Sequence, residues 1–126
     1  MNEKKILVID DDKNVALMLQ NYFEALDIKT FIAVELENVL DLIENEQPDL
    51  IFLDYRMKPH TGKDFLERFK ILNITIPVIM MSAYKRRDGI FEMKRLGAVE
   101  YIDKPYNFEL IDELLIKYLK FNPKKK

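Results

Sequence analysis

The sequence predicts an α/β fold: a doubly wound, five-stranded parallel sheet with five helices on its two faces. Three observations predict it. Short apolar runs alternate with amphipathic helical patterns five times along the chain. Two of those runs, LIFL and VIMM, are apolar at every position, as a parallel strand covered on both sides requires. Punctuation falls between the units, with Pro48 and Pro77 ahead of two runs and Gly97 where a helix needs its C-terminal cap.

The first strand is expected over Lys5–Ile9 and runs into three consecutive carboxylates, Asp10, Asp11 and Asp12. Val15, Met18, Leu19, Tyr22, Phe23 and Leu26 then recur at helical spacing. A second strand, Lys29–Ala33, is followed by the apolar face of Leu36, Val39, Leu40 and Ile43. The third strand is Leu50–Leu53, and Phe65, Leu66, Phe69 and Leu72 draw the next helix. Val78–Met81 is the fourth strand. Arg87–Leu96 is the least regular helix, since Gly89 sits in its first turn. Val99–Ile102 completes the sheet. Phe108, Ile111, Leu114, Leu115, Tyr118 and Leu119 form the last apolar stripe.

Composition narrows the function. A chain of 126 residues and 15.0 kDa, 48% hydrophobic, supports one domain with a sizeable core. We expect that domain to span 1–121, with 122–126 a basic tail. A net charge of −2 supplies no basic field for nucleic acid. No Cys is present, which excludes disulfides, thiolate metal sites and thiol nucleophiles and fits a reducing cytoplasm. No apolar run approaches the ~18 residues of a membrane span, and the few apolar residues ahead of Asp10 do not make a signal peptide.

In an open parallel sheet, functional groups gather at the carboxyl ends of the strands. Asp10 and Asp11 end the first strand, Asp54 the third and Ser82 the fourth, while Lys104 follows the fifth. Two unit charges about 5 Å apart repel by roughly 3 kcal/mol at an effective dielectric of about 20. Three such carboxylates call for a cation, and an all-oxygen donor set suits Mg²⁺. Adding a Lys and a hydroxyl makes a site for moving a phosphoryl group, with Asp54 as the nucleophile.

These residues, in the stretches ILVIDDD, LIFLDYRMKPHTG, VIMMSAY and GAVEYIDKP, resemble the receiver domain of two-component response regulators from about Lys4 to Leu119. The resemblance implies the flavodoxin-like strand order 2-1-3-4-5. It also implies that Asp54 is the phosphoacceptor, and that Asp11, Asp10 (directly or through water), Asp54 and the Arg56 backbone carbonyl hold Mg²⁺. Ser82 takes the place of the switch hydroxyl, followed by the small Ala83. Lys104 takes that of the phosphate-contacting lysine, and Tyr101 that of the switch aromatic. A cis Lys104–Pro105 peptide is implied as well. Arg56 and Tyr84 each lie two residues past a site residue, at the rim. The chain departs from the family where Lys58, rather than Pro, stands four residues after Asp54, with Pro59 next. Asp12 is expected to cap the first helix.

The implied partners are a sensor histidine kinase or a histidine phosphotransfer protein, and a downstream protein target. Neither nucleic acid nor membrane is expected to be bound directly. The expected state is a monomer or a weak, phosphorylation-dependent dimer. The reading is a cytoplasmic, stand-alone receiver acting as a switch rather than an enzyme. One alternative is a receiver cut from a longer regulator. Another is a haloacid-dehalogenase-like phosphatase using Asp10 and Asp12, against which Asn14 stands where Thr or Val is needed. A flavin carrier would need a Gly-rich phosphate loop, and only Gly62, Gly89 and Gly97 are present. The sole histidine, His60, reads as a loop surface residue, and Met80–Met81 as core.

Overall fold

A computed structural model describes residues 3–83, 87–103 and 107–123, with the backbone alone at 87–89. In chain order the elements are β1 (Lys5–Ile9), α1 (Lys13–Ala25), β2 (Lys29–Ala33), α2 (Leu36–Glu46), β3 (Leu50–Asp54), β4 (Arg56–Met57), β5 (His60–Thr61), α3 (Gly62–Ile71), β6 (Val78–Ser82), α4 (Arg87–Arg95), β7 (Glu100–Asp103) and α5 (Phe108–Leu119). The main sheet is parallel, in the order β2-β1-β3-β6-β7. Counting only its own five strands, that is the expected 2-1-3-4-5. The sequence did not indicate the antiparallel pair β4-β5. Strands of two residues are too short to carry a periodic signal.

The continuous apolar strands follow from burial on both faces. Ile6, Val8, Leu50, Phe52, Ile79 and Met81 point to one side, where α1 and α5 add Leu19, Phe23, Ile111 and Leu115. Leu7, Ile9, Ile51, Leu53 and Met80 point to the other, against Val39 of α2, Phe65 and Phe69 of α3 and Met93 of α4. Strand alternation sends neighbours to opposite cores, so neither register of side chains can be polar.

Three helices end in one hydrogen-bond pattern. The amides of Ile28, Ile74 and Ala98 donate to the carbonyls of Phe23, Phe69 and Met93 at 3.0, 2.9 and 2.9 Å. In each pair both side chains are apolar, and the residue between helix and return is left-handed: Asp27 at φ 63°, Asn73 at 57° and Gly97 at 116°. The Gly97 cap is legible in the sequence; Asp27 and Asn73 are not. A Cβ on Gly97 would meet nothing within 4 Å, so substitution there costs conformation and no clash. Gly97→Ala is expected to lower stability by about 1–2 kcal/mol, read from the urea midpoint at constant m. An unchanged midpoint would show that this turn does not need its left-handed residue.

Contacts between elements distant in the chain hold the layers. At the sheet edge, the Thr30 amide donates to Glu24 Oε2 at 2.8 Å, and Gln20 Nε2 donates to the Thr30 carbonyl at 3.0 Å. Two side chains of α1 thereby cover part of an edge strand that would otherwise offer itself for pairing. The Tyr22 hydroxyl of α1 donates to Asp112 of α5, and the Tyr22 ring lies 4.4 Å from that of Phe108. Burial, reinforced by that bond, pushes the Tyr22 hydroxyl up to about 12. Glu100 of β7 accepts from Tyr118 at 2.5 Å and Lys117 at 3.0 Å, and these donors hold its carboxyl below the usual range. No helix among the described residues is long and apolar enough to cross a membrane.

Candidate functional site

Register brings the acids together. Ile9 of β1 is paired with Leu53 of β3, so the next residues, Asp10 and Asp54, leave the sheet side by side. Asp54 in turn stands opposite Met81 on β6, one step before Ser82. Asp10, Asp54 and Ser82 are 1%, 5% and 1% exposed, making them, with Thr30, the buried polar residues among those described. Asp11 is exposed. One carboxylate oxygen from each of Asp10, Asp11 and Asp54 lies within 4.8 Å of the others.

The turn after β1 is built to hold this arrangement. Asp10 Oδ1 accepts the Asp12 amide at 2.9 Å, which fixes the carboxylate at the strand end. Asp12 itself caps α1, accepting from the amides of Asn14 at 3.0 Å and Val15 at 3.3 Å. The third acid of the run is therefore occupied by the helix, as its position predicts. After β3 the chain is held from two directions. The Tyr55 amide donates to the Met81 carbonyl at 2.8 Å, and the Gly62 amide donates to the Tyr55 carbonyl at 2.7 Å. A Cβ on Gly62 would stand 2.7 Å from Met80 Sδ and Cε and 3.2 Å from Tyr55 Cα, so a side chain there would displace the tip of Met80 and crowd the Tyr55 backbone. Lys58 and Pro59, the departure from the family pattern, form the tip of β4-β5 and are joined by a cis peptide. The exposed Arg56 opens that hairpin opposite Thr61, and Asp64 accepts the Thr61 amide at 2.9 Å to start α3.

The predicted site residues thus fall in two groups. Asp10, Asp11 and Asp54 converge; Ser82 ends the strand beside Asp54; Tyr101 is half-buried on β7, packed against the core of the α2–α4 face. Tyr84, Lys104 and Pro105, with the expected cis Lys104–Pro105 peptide, lie outside the described residues. Met80, expected as core alone, is fully buried and is also the surface on which Gly62 rests. Nothing local in the sequence links the two.

Comparison with known proteins decides what this geometry belongs to. The model of the response regulator receiver domain matches residues 6–116. The chain belongs to this family. Receiver domains act as phosphorylation-dependent switches, and the acidic triad of this one stands where such a site is formed. The chain is 37% identical over 119 residues to sporulation initiation phosphotransferase F of Bacillus subtilis, covering 94% of this chain and 95% of that protein. It is 33% identical over 124 residues to the probable C4-dicarboxylate response regulator DctR of the same organism. There the match covers 97% of this chain but 55% of the relative. Among solved structures, a two-component response regulator from Clostridium difficile superposes with a TM-score of 0.88 at 25% identity, covering 94% of this receiver and 97% of that chain. The receiver domain of Francisella response regulator 1452 superposes with a TM-score of 0.81 at 32% identity, covering 98% and 100%.

Proposed function

We propose that this receiver, residues 1–121 ahead of a basic tail at 122–126, accepts a phosphoryl group on Asp54 from a histidine kinase or a histidine phosphotransfer protein, and thereby alters contacts with a downstream protein. The observation that carries the reading is the convergence of three carboxylate oxygens within 4.8 Å at the carboxyl edge of the sheet. The relative named a phosphotransferase, matched over nearly its whole length, supports phosphoryl transfer as the chemistry.

The donor set fits Mg²⁺: hard oxygens only, two carboxylates buried and one open to solvent, at a spacing one ion can bridge. Asp10, Asp11, Asp54 and the Arg56 carbonyl would hold it. Bound there, the ion supplies neutralisation of the carboxylates and of the phosphoryl oxygens. The chain's own groups do the rest. An Asp54 oxygen forms the new O–P bond while the P–N bond to the donor histidine breaks, and the electron pair leaves on the imidazole nitrogen. The Ser82 hydroxyl donates to a phosphoryl oxygen and the Lys104 ammonium offsets its charge. Ser82 is 1% exposed, which shields its own hydroxyl from bulk water.

Incubation with acetyl phosphate and Mg²⁺ is expected to add one hydroxylamine-labile phosphoryl group by intact mass, and none when the ion is chelated. In the same sample the Tyr101 ring resonances should shift as the side chain turns inward behind Ser82. Full incorporation in excess chelator would remove the metal from the reading, and no incorporation in either condition would remove the phosphoacceptor.

We further propose that Arg56 and Tyr84 screen the phosphoryl group from water in line with its P–O bond. Arg56 is exposed and lies two residues past Asp54, and water can reach the phosphoryl group only from solvent. Removing both side chains is expected to speed dephosphorylation by up to about tenfold, the effect of ~1.4 kcal/mol on the barrier. First-order decay after donor removal measures it. Decay as slow as wild type, or slower, would show that screening is not what sets the lifetime.

A further inference from the structure

At the end of the sheet opposite the carboxylates, a half-open, mainly apolar cavity of about 190 Å³ lies between the last turns of α3 and α4. Leu66, Phe69 and Val78 form its floor at 2%, 3% and 3% exposed. The half-buried Ile74, Ile76 and Leu96 form its walls. Two exposed cations line the mouth, Lys70 from α3 and Arg95 from α4. Neither makes an ion pair with a described residue, whereas Lys5, Lys63 and Lys117 each have a carboxylate within 3.4 Å.

Basic residues in a helix's last turn complement the helix dipole, and that accounts for where Lys70 and Arg95 sit in sequence. It does not account for their flanking one apolar cavity. The returning chain takes up part of the negative charge at the two helix ends. The carbonyls of Phe69 and Met93 are already bonded by the returning amides of Ile74 and Ala98. Two like charges left without partners at the rim of an apolar recess match one kind of ligand, a compact apolar body carrying a single anionic head.

We propose that this cavity binds small monocarboxylates, the apolar body on Phe69 and Val78 and the carboxylate between Lys70 and Arg95. An enclosed apolar cavity of about 150 Å³ takes benzene, and this recess, larger but half open to solvent, has room for an aromatic ring or a chain of about six carbons covered on its inner side. The site is distinct from the phosphoacceptor cluster and does not depend on its chemistry. It does join α3 to α4 at the end opposite the Lys63–Glu92 ion pair, 3.0 Å long, that joins them near the hairpin.

The test is a ¹⁵N-resolved titration of the full chain with benzoate, alongside benzyl alcohol and acetate. Benzoate is expected to give saturable shifts at the amides of Leu66, Lys70, Ile74, Leu96 and Gly97, half-complete below about 10 mM, as its few heavy atoms permit. Benzyl alcohol, of equal size without the charge, and acetate, with the charge but no body, should each bind at least about tenfold more weakly. Lys70→Gln and Arg95→Gln, both at exposed positions, should weaken benzoate similarly without altering circular dichroism. Equal binding of benzyl alcohol, equal binding of acetate, unchanged affinity in both variants, or no saturable shift by about 20 mM would each overturn the site.

Discussion

Replacing Asp54 by Asn is expected to reduce phosphoryl incorporation from one group per chain to none, with the fold intact. The amide is nearly the same size and can occupy the same position at the end of β3 opposite Met81. It has no carboxylate oxygen to attack phosphorus. Asp12 is committed to the α1 amides and Asp10 Oδ1 to the Asp12 amide. The variant also removes one negative charge from a cluster whose members repel by roughly 3 kcal/mol per pair at about 5 Å. Its thermal midpoint without divalent ions is therefore expected at or above that of the parent. Intact mass after acetyl phosphate treatment reads the first effect and calorimetry the second. Residual incorporation at any other residue would move the phosphoacceptor elsewhere.

Phe52→Ala is expected to cost about 3–5 kcal/mol of folding free energy, the range for emptying a large buried aromatic site. Phe52 lies in the central strand β3, fully buried, with its ring 5.3 Å from that of Phe23 on α1. The sheet backbone on both sides of it is hydrogen-bonded to β1 and β6, which limits how far the structure can collapse into the space. Domains of this size have about 5–15 kcal/mol in all, so the variant should unfold at much lower urea while keeping its m-value. Tyr22, packed beside Phe23 and against Phe108, would feel the same cavity through α1. A loss below about 1 kcal/mol would mean that α1 closes onto the sheet and that this core is more plastic than its packing indicates.

Much of the site is legible in the sequence because its signals are local. An apolar run predicts a strand, and the residue that ends the run is delivered to the carboxyl edge. Strand ends alone therefore assign Asp10, Asp54 and Ser82 to one rim. Asp12 as a cap and Gly97 as a helix stop rest on the same basis, since each depends on its own few neighbours. The hairpin β4-β5 is not legible in this way, because a strand of two residues has no period. It exists here through bonds to Met81 and Tyr55 already placed by the sheet.

The sequence by itself determined the α/β class, the five sheet strands, the start of α1 at Asp12, the end of α4 at Gly97 and the identity of the converging acids. Tertiary structure alone decided which adjacent acid is buried, sending Asp10 inward and leaving Asp11 in solvent. It alone set Gly62 on Met80, turned Gln20 and Glu24 onto the Thr30 edge, and opened a cavity between two helix ends flanked by Lys70 and Arg95. The division is physical. Periodicity and capping act over a turn or a strand and are written into consecutive residues, whereas these contacts join segments whose meeting depends on how whole layers pack.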